Sequence, residues 1–241
     1  VEPPPSGPKA VHVPWATPTL PWVTVSFRGP AFSTTGKDWA ALDLLFDLAF
    51  GPTSDLYRRL VEREQKVDQL FPMVSPTADP QLVSVGARVK RIEDAAAVRD
   101  EILRTFASLR VEPIPARRLE DARANARYGL VRGLDNTDAI AGTLARFVRF
   151  RREYGTLNEL YRVYDALTPE DLRAAARKYV VDAGLVQATL SREPEPPNLA
   201  QLPALAALAP ATGAPDGLAV VERPSPLPQV AFELLFAAGS A

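Results

Sequence analysis

The 241-residue sequence has no cysteine, one histidine and one methionine. Without cysteine there is no disulfide, no thiolate nucleophile and no thiolate metal site. The one histidine, His12, cannot supply the paired histidines of an HExxH or HxxEH zinc motif, so no metal-ligand residues are assigned. No Gly-x-Ser-x-Gly elbow accompanies it, which removes the familiar serine-hydrolase arrangement. No apolar run approaches the ~18 residues needed to span a bilayer. An excess of one charge is missing too. Twenty-eight basic residues face 29 acidic ones, which gives no overall pull toward nucleic acid or anionic membrane. The opening "VEPPPSGPKAVHVP" lacks the basic and apolar regions of a signal peptide, and Val1 is not an initiator. Both ends are expected to be cuts in a longer chain.

What is present is enough for a core. Hydrophobic residues make up 46% of the chain and charged residues 24%, a globular balance. Residues 1–21 carry seven prolines and are expected to be an extended leader. "WVTVSF" (22–27) alternates as a strand, and "KDWAALDLLFDLAFG" reads as a helix ending at Gly51. A second helix, "SDLYRRLVERE", opens at Thr53 or Ser54. "KVDQLFPMV" and "QLVSVGARV" read as strands joined by the turn "SPTADP". Glu93–Leu109 is amphipathic, with Ala95, Val98, Ile102, Phe106 and Leu109 on one stripe. Residues 115–180 continue as helices with breaks near 134–136 and Gly155. Thr168-Pro169-Glu170-Asp171 supplies a cap, a first-turn proline and an acid at the third position. "GLVQATLSR" (184–192) is a last strand. Residues 193–216, with six prolines and many alanines, read as a linker, and strand-like sequence resumes over 217–241. The order predicts an α+β domain over 22–192, with helices on one face of a mainly antiparallel sheet.

Candidate chemistry is thin. "AFSTTGKD" (31–38) lies between a strand and a helix, as a phosphate-binding loop does. Ala31 replaces the first glycine, however, and Asp38 replaces the magnesium-binding hydroxyl. An aspartate there suits the helix dipole and repels phosphate. "RFVRFRREY" (146–154) interleaves arginine and aromatics and admits an RNA-binding reading. Phe147 and Phe150 have core spacing, though, which turns the arginines to solvent. Glu62 and Glu64 have no spacing that marks an acid/base pair. No catalytic, substrate-binding or metal residue is therefore assigned.

Three stretches carry a resemblance. "GPTSDLYRRLVERE" resembles the G-x-x-S-x-L-Y-x-x-L-x-E helix of the pitrilysin or insulinase-like zinc metallopeptidases. "DALTPEDLRAAARKYV" with "GLVQATL" resembles the capped helix and final strand that close a domain there, in a metallopeptidase-like α/β roll. "VVERPSPLPQVAFELLFAAGSA" resembles the first hairpin of the next domain. In that family the first domain carries HxxEH. The last carries a substrate-holding arginine and tyrosine, whose positions here read Val61 and Asp68 or Gln69. The resemblance implies a second, non-catalytic domain plus the start of a third, forming the wall of a chamber in which the parent hydrolyses peptides or small unfolded proteins. It implies zinc in the parent and none in this fragment, which should be inactive alone. The implied partners are the zinc-bearing domain, in the same protein or a partner subunit, and peptide substrate, with no nucleic acid and no membrane span. Self-association through 217–241 is a further expectation. A catalytically dead structural subunit of the same family is the alternative. The compartment stays open, with a preference for the bacterial cell envelope or periplasm.

Overall fold

Small and β-branched side chains alternate through Trp22–Arg28 and Leu82–Val89, and these stretches pair antiparallel near the middle of a five-stranded sheet, with Val25 opposite Val85. The structure is a computed structural model and describes residues 6–210. The strands are β1 (Lys9–Pro14), β2 (Trp22–Arg28), β3 (Val67–Met73), β4 (Leu82–Val89) and β5 (Val186–Ser191), in the spatial order β1-β5-β2-β4-β3. Every pairing is antiparallel except β1 with β5. The expected α+β class with a mainly antiparallel sheet is what forms.

The helices are α1 (Asp38–Phe50), α2 (Asp55–Tyr57, running into a π-helical turn over Arg58–Arg63), α3 (Ala95–Val111), α4 (Ala116–Arg132), α5 (Thr137–Arg151), α6 (Thr156–Ala166) and α7 (Pro169–Tyr179). Two short turns follow, α8 (Pro197–Ala200) and α9 (Leu205–Leu208). The core lies between the sheet and α1 and α3. Val23, Val25 and Phe27 of β2 and Val83, Val85, Ala87 and Val89 of β4 are buried there. Phe106 of α3 anchors it, with ring centroids 4.9 Å from Phe27, 5.1 Å from Phe46 and 4.6 Å from Phe50. Offset and edge contacts of this kind add to plain area burial.

The sequence spacing puts Ala41, Leu45, Leu48 and Ala49 on one face of α1. The structure buries Trp39, Leu42 and Phe46 as well as Ala41 and Leu45, so α1 is enclosed nearly all round. Its end is fixed by close approach: a Cβ on Gly51 would lie 2.5 Å from the Asp47 carbonyl oxygen. The Ser54 hydroxyl then caps α2 by accepting the Tyr57 N–H at 3.1 Å. At α7, Thr168 and Asp171 cap each other. The Thr168 hydroxyl accepts the Asp171 N–H at 3.2 Å, and the Asp171 carboxylate accepts the Thr168 N–H at 2.8 Å.

Two expected boundaries shift. The leader is not free over its whole length: residues 9–14 are the edge strand β1, in register with β5 from Lys9↔Val186 to Pro14↔Ser191. Parallel pairing at such sequence separation leaves no local signature. The stretch read as linker also begins too early. Leu199 and Leu205 are fully buried, and Arg99 of α3, itself 3% exposed, donates to the carbonyls of Asn198, Leu199 and Gln201 at 2.8–3.1 Å. The Asp182 carboxylate accepts the Leu205 N–H at 2.9 Å. Residues 193–208 are thus a strap on the domain. The expectations placed on 217–241, strands of a following domain and a self-association surface, lie outside the described residues.

Candidate functional site

Most residues weighed for chemistry have a local partner. The His12 ring nitrogen Nδ1 lies 3.0 Å from the Thr189 hydroxyl across the β1–β5 pair. Among the described residues no group of three or more His, Cys, Asp or Glu side chains could hold a metal. The zinc that the resemblance implies for the parent therefore finds no fitting donor set among the described residues.

The loop over residues 31–38 is closed on itself. The Ser33 hydroxyl accepts the N–H groups of Thr35 and Gly36, both at 3.1 Å, which occupies amides a phosphate would need. Lys37 pairs with Asp171 at 2.8 Å, and Asp38 takes bonds from Lys178 and Tyr179. In the stretch 146–154, Phe147 and Phe150 stack against Phe32 at 5.7 and 4.5 Å. Arg149 donates to the Pro76 carbonyl and lies over the Phe150 ring, while Arg151 bonds Thr34 and Glu159. These arginines brace the domain and do not form a free basic row.

Val61 packs half-buried against the core, Asp68 is bound by Arg88, and Gln69 is exposed. The structure brings none of these into a constellation with one another. Glu64 pairs with Lys66 at 2.8 Å, and Glu62 is exposed.

One polar contact was not anticipated. Asp43 on α1 accepts a 2.6 Å hydrogen bond from the Tyr164 hydroxyl of α6. Burial pushes the Asp43 carboxyl up from an ordinary 3.8 to about 6; the Tyr164 bond opposes this and the Asp47 charge reinforces it. Burial likewise raises the Tyr164 phenol strongly, and the neighbouring Asp43 adds to that. The contact ties α6 to α1. The sequence carried a signal for it, an aspartate inside the apolar run "ALDLLFDLAF".

The surface with a distinctive character is the sheet face that the helices leave open. Registration places Trp22, Thr24 and Ser26 of β2 there, beside Leu190, Ala188 and Val186 of β5. Phe71 of β3 lies over Gly86 of β4, where an added Cβ would come 3.1 Å from the ring. Trp22 meets Phe71 edge-on at 6.1 Å and carries Arg88 over its face at 5.7 Å. At the rims Val11, Val13, Met73 and Leu82 are 38–52% exposed. Large apolar groups, with Arg88 among them, surround a floor of small residues that includes the hydroxyls of Thr24 and Ser26.

A five-stranded, mostly antiparallel sheet with helices on one side defines an α+β domain. Residues 1–126, just over half of the chain, match the Peptidase M16 inactive domain, and the chain belongs to that family. No curated protein matches it. A protease from Helicobacter pylori is similar over 78% of this chain and 45% of its own, at 24% identity and a TM-score of 0.70. A proposed zinc protease from Bordetella pertussis Tohama I is similar over 72% of this chain and 95% of its own, at 19% identity and 0.60. A chain of the complex III2 structure from Candida albicans is similar over 76% of this chain and 45% of its own, at 14% identity and 0.64. At these identities the likeness is one of fold. The chain spans less than half the length of the Helicobacter protease.

Proposed function

We propose that this chain is a wall of the chamber of a zinc metallopeptidase that hydrolyses peptides or small unfolded proteins. Zinc and its ligands belong to another domain, in the same protein or a partner subunit. The observation that carries the reading is the open sheet face: Trp22, Phe71 and the exposed Val11, Val13, Met73 and Leu82 give it apolar surface that suits loose contact with unfolded chain. The work of the domain is to shape and line the space beside the zinc. Reconstitution tests this. The zinc-bearing domain of the parent protein is mixed with this chain, and cleavage of a quenched fluorescent peptide is followed. Activity should require both parts, and Trp22→Lys should weaken substrate capture, raising KM more than it lowers kcat. Full activity from the zinc-bearing domain alone, or a parent with no HxxEH anywhere, defeats the proposal.

The second outcome would favour the other reading, a catalytically dead structural subunit. The likeness to the Candida albicans complex III2 chain supports that reading at the level of fold. The cell envelope is our proposed compartment; among the described residues no helix is long and apolar enough to cross a membrane.

A further inference from the structure

Away from the sheet, a concave feature is lined only by helices and their connections. A cavity of about 490 Å³ lies between the end of α1, the α2 segment, the end of α3 and the start of α4. That volume falls within the usual range for small-ligand sites. Its apolar lining comes from Leu48, Leu56, Leu109 and Ile114. Four guanidinium groups, of Arg59, Arg63, Arg104 and Arg118, share the lining with the carboxylates of Asp55 and Glu112.

The arginines are not equally occupied. Arg59 and Arg104 share one acid, Glu101, Arg59 also lies 4.0 Å from Glu64, and Arg118 reaches Asp55 at 3.3 Å. Glu112 is taken by the Ser108 hydroxyl at 2.9 Å. Arg63 makes no hydrogen bond among the described residues; its charge acts on Glu64, which Lys66 holds at 2.8 Å. It stands one turn from Arg59 on the π-helical segment, a backbone form that recurs at functional sites. The lining itself carries four guanidinium groups against two carboxylates, so positive charge exceeds negative along it beside an apolar surface, and the planar guanidinium group is the side chain best suited to grip a carboxylate.

We propose that this cavity binds a peptide segment of another polypeptide in which an apolar side chain adjoins a carboxylate. The apolar group sits against Leu56, Leu109 and Ile114, and the carboxylate meets Arg63 with help from Arg104. A bare anion would leave the apolar lining unused. Nucleic acid would find two carboxylates in the wall and no aromatic ring to stack on. The inference concerns a different surface from the sheet face and stands independently of the chamber reading.

The chain has four isoleucines, at 92, 102, 114 and 140. Ile114 lines the cavity, while Ile140 lies on α5. The full chain labelled at isoleucine methyl groups is titrated with acetyl-Ala-Phe-Glu-Ala-amide, with its glutamine counterpart and with inorganic phosphate. The glutamate peptide should shift Ile114 saturably and leave Ile140 still. The glutamine peptide should bind about fivefold more weakly, and Arg63→Gln should cost the glutamate peptide a similar factor without changing the melting temperature. An unmoved Ile114, equal binding of the two peptides, an equal shift from phosphate, or binding unchanged in both Arg63→Gln and Arg104→Gln each overturns the proposal.

Discussion

Replacing Asp43 with asparagine should stabilise the protein at neutral pH and do little in acid. In the folded chain the carboxyl is withdrawn between α1 and α6 and titrates near 6, against 3.8 ordinarily. A raised acid binds its proton more tightly when folded. Its penalty is therefore absent below the unfolded value near 3.8 and fully present above about 6. The shift is about 2 units, so the penalty at pH 7.5 reaches about 3 kcal/mol at most. Asparagine keeps an oxygen for the Tyr164 hydroxyl and carries no charge. Urea unfolding at pH 4.5 and pH 7.5, for both proteins, gives the result directly. Wild type should lose stability between those points relative to Asp43→Asn, with the variant ahead by about 1–3 kcal/mol at pH 7.5. Asp47 is pushed the same way by burial; its charge acts on Asp43, so removing the Asp43 charge adds to the difference between the two proteins. Asp38 and Asp171 act at lower pH. Burial works against them, but hydrogen bonds from Lys178 and Tyr179, and from Lys37 and Thr168, hold both below the ordinary range. Their stability is present above about 3.8 and is lost as pH falls through their lowered values. Parallel pH curves for wild type and Asp43→Asn would refute the reasoning.

Thr168→Ala removes one half of the capping box on α7 and should lower stability by about 1 kcal/mol in chemical unfolding; no change would mean the cap is idle. Gln65 sits at φ 52°, so Gln65→Gly should raise stability by about 0.5 kcal/mol, measured the same way. Arg99→Met strips three carbonyls of the strap of their donor and should cost about 2–4 kcal/mol, with trypsin-independent cleavage by thermolysin appearing first within residues 193–208; first cuts elsewhere would show that the strap is held by other means. Metal analysis of the purified chain should find no stoichiometric zinc, since the described residues offer no donor set; one tightly bound zinc per chain would contradict this.

The elements with local signals were legible. β2 announces itself by alternation, α3 by its stripe, and α7 by the Thr-Pro-Glu-Asp start. What escaped depends on distant partners. β1 is six residues whose pairing lies wholly with β5, and in sequence it merges with the proline-rich leader around it. The strap is rich in alanine and proline, and only the buried Arg99 turns its carbonyls into anchors. The open sheet face was equally hidden. Trp22 and Phe71 look like core residues in sequence, and only the register shows that they stand on the side without helices.

The pairing of β1 with β5 also sets an order of events in time. His12 and its partner Thr189 are 177 residues apart. At ribosomal speeds, about 9–35 s pass between the emergence of one and the other. Throughout that interval β2 lacks its neighbour, because β5 sits between β1 and β2. The β2–β4–β3 unit must wait with a bare edge on the nascent chain, and β1 must wait with no partner at all. Synthesis of the domain thus includes a long vulnerable stage in which that edge is open to any passing strand, and it ends when a single late strand, Val186–Ser191, is threaded between two early ones.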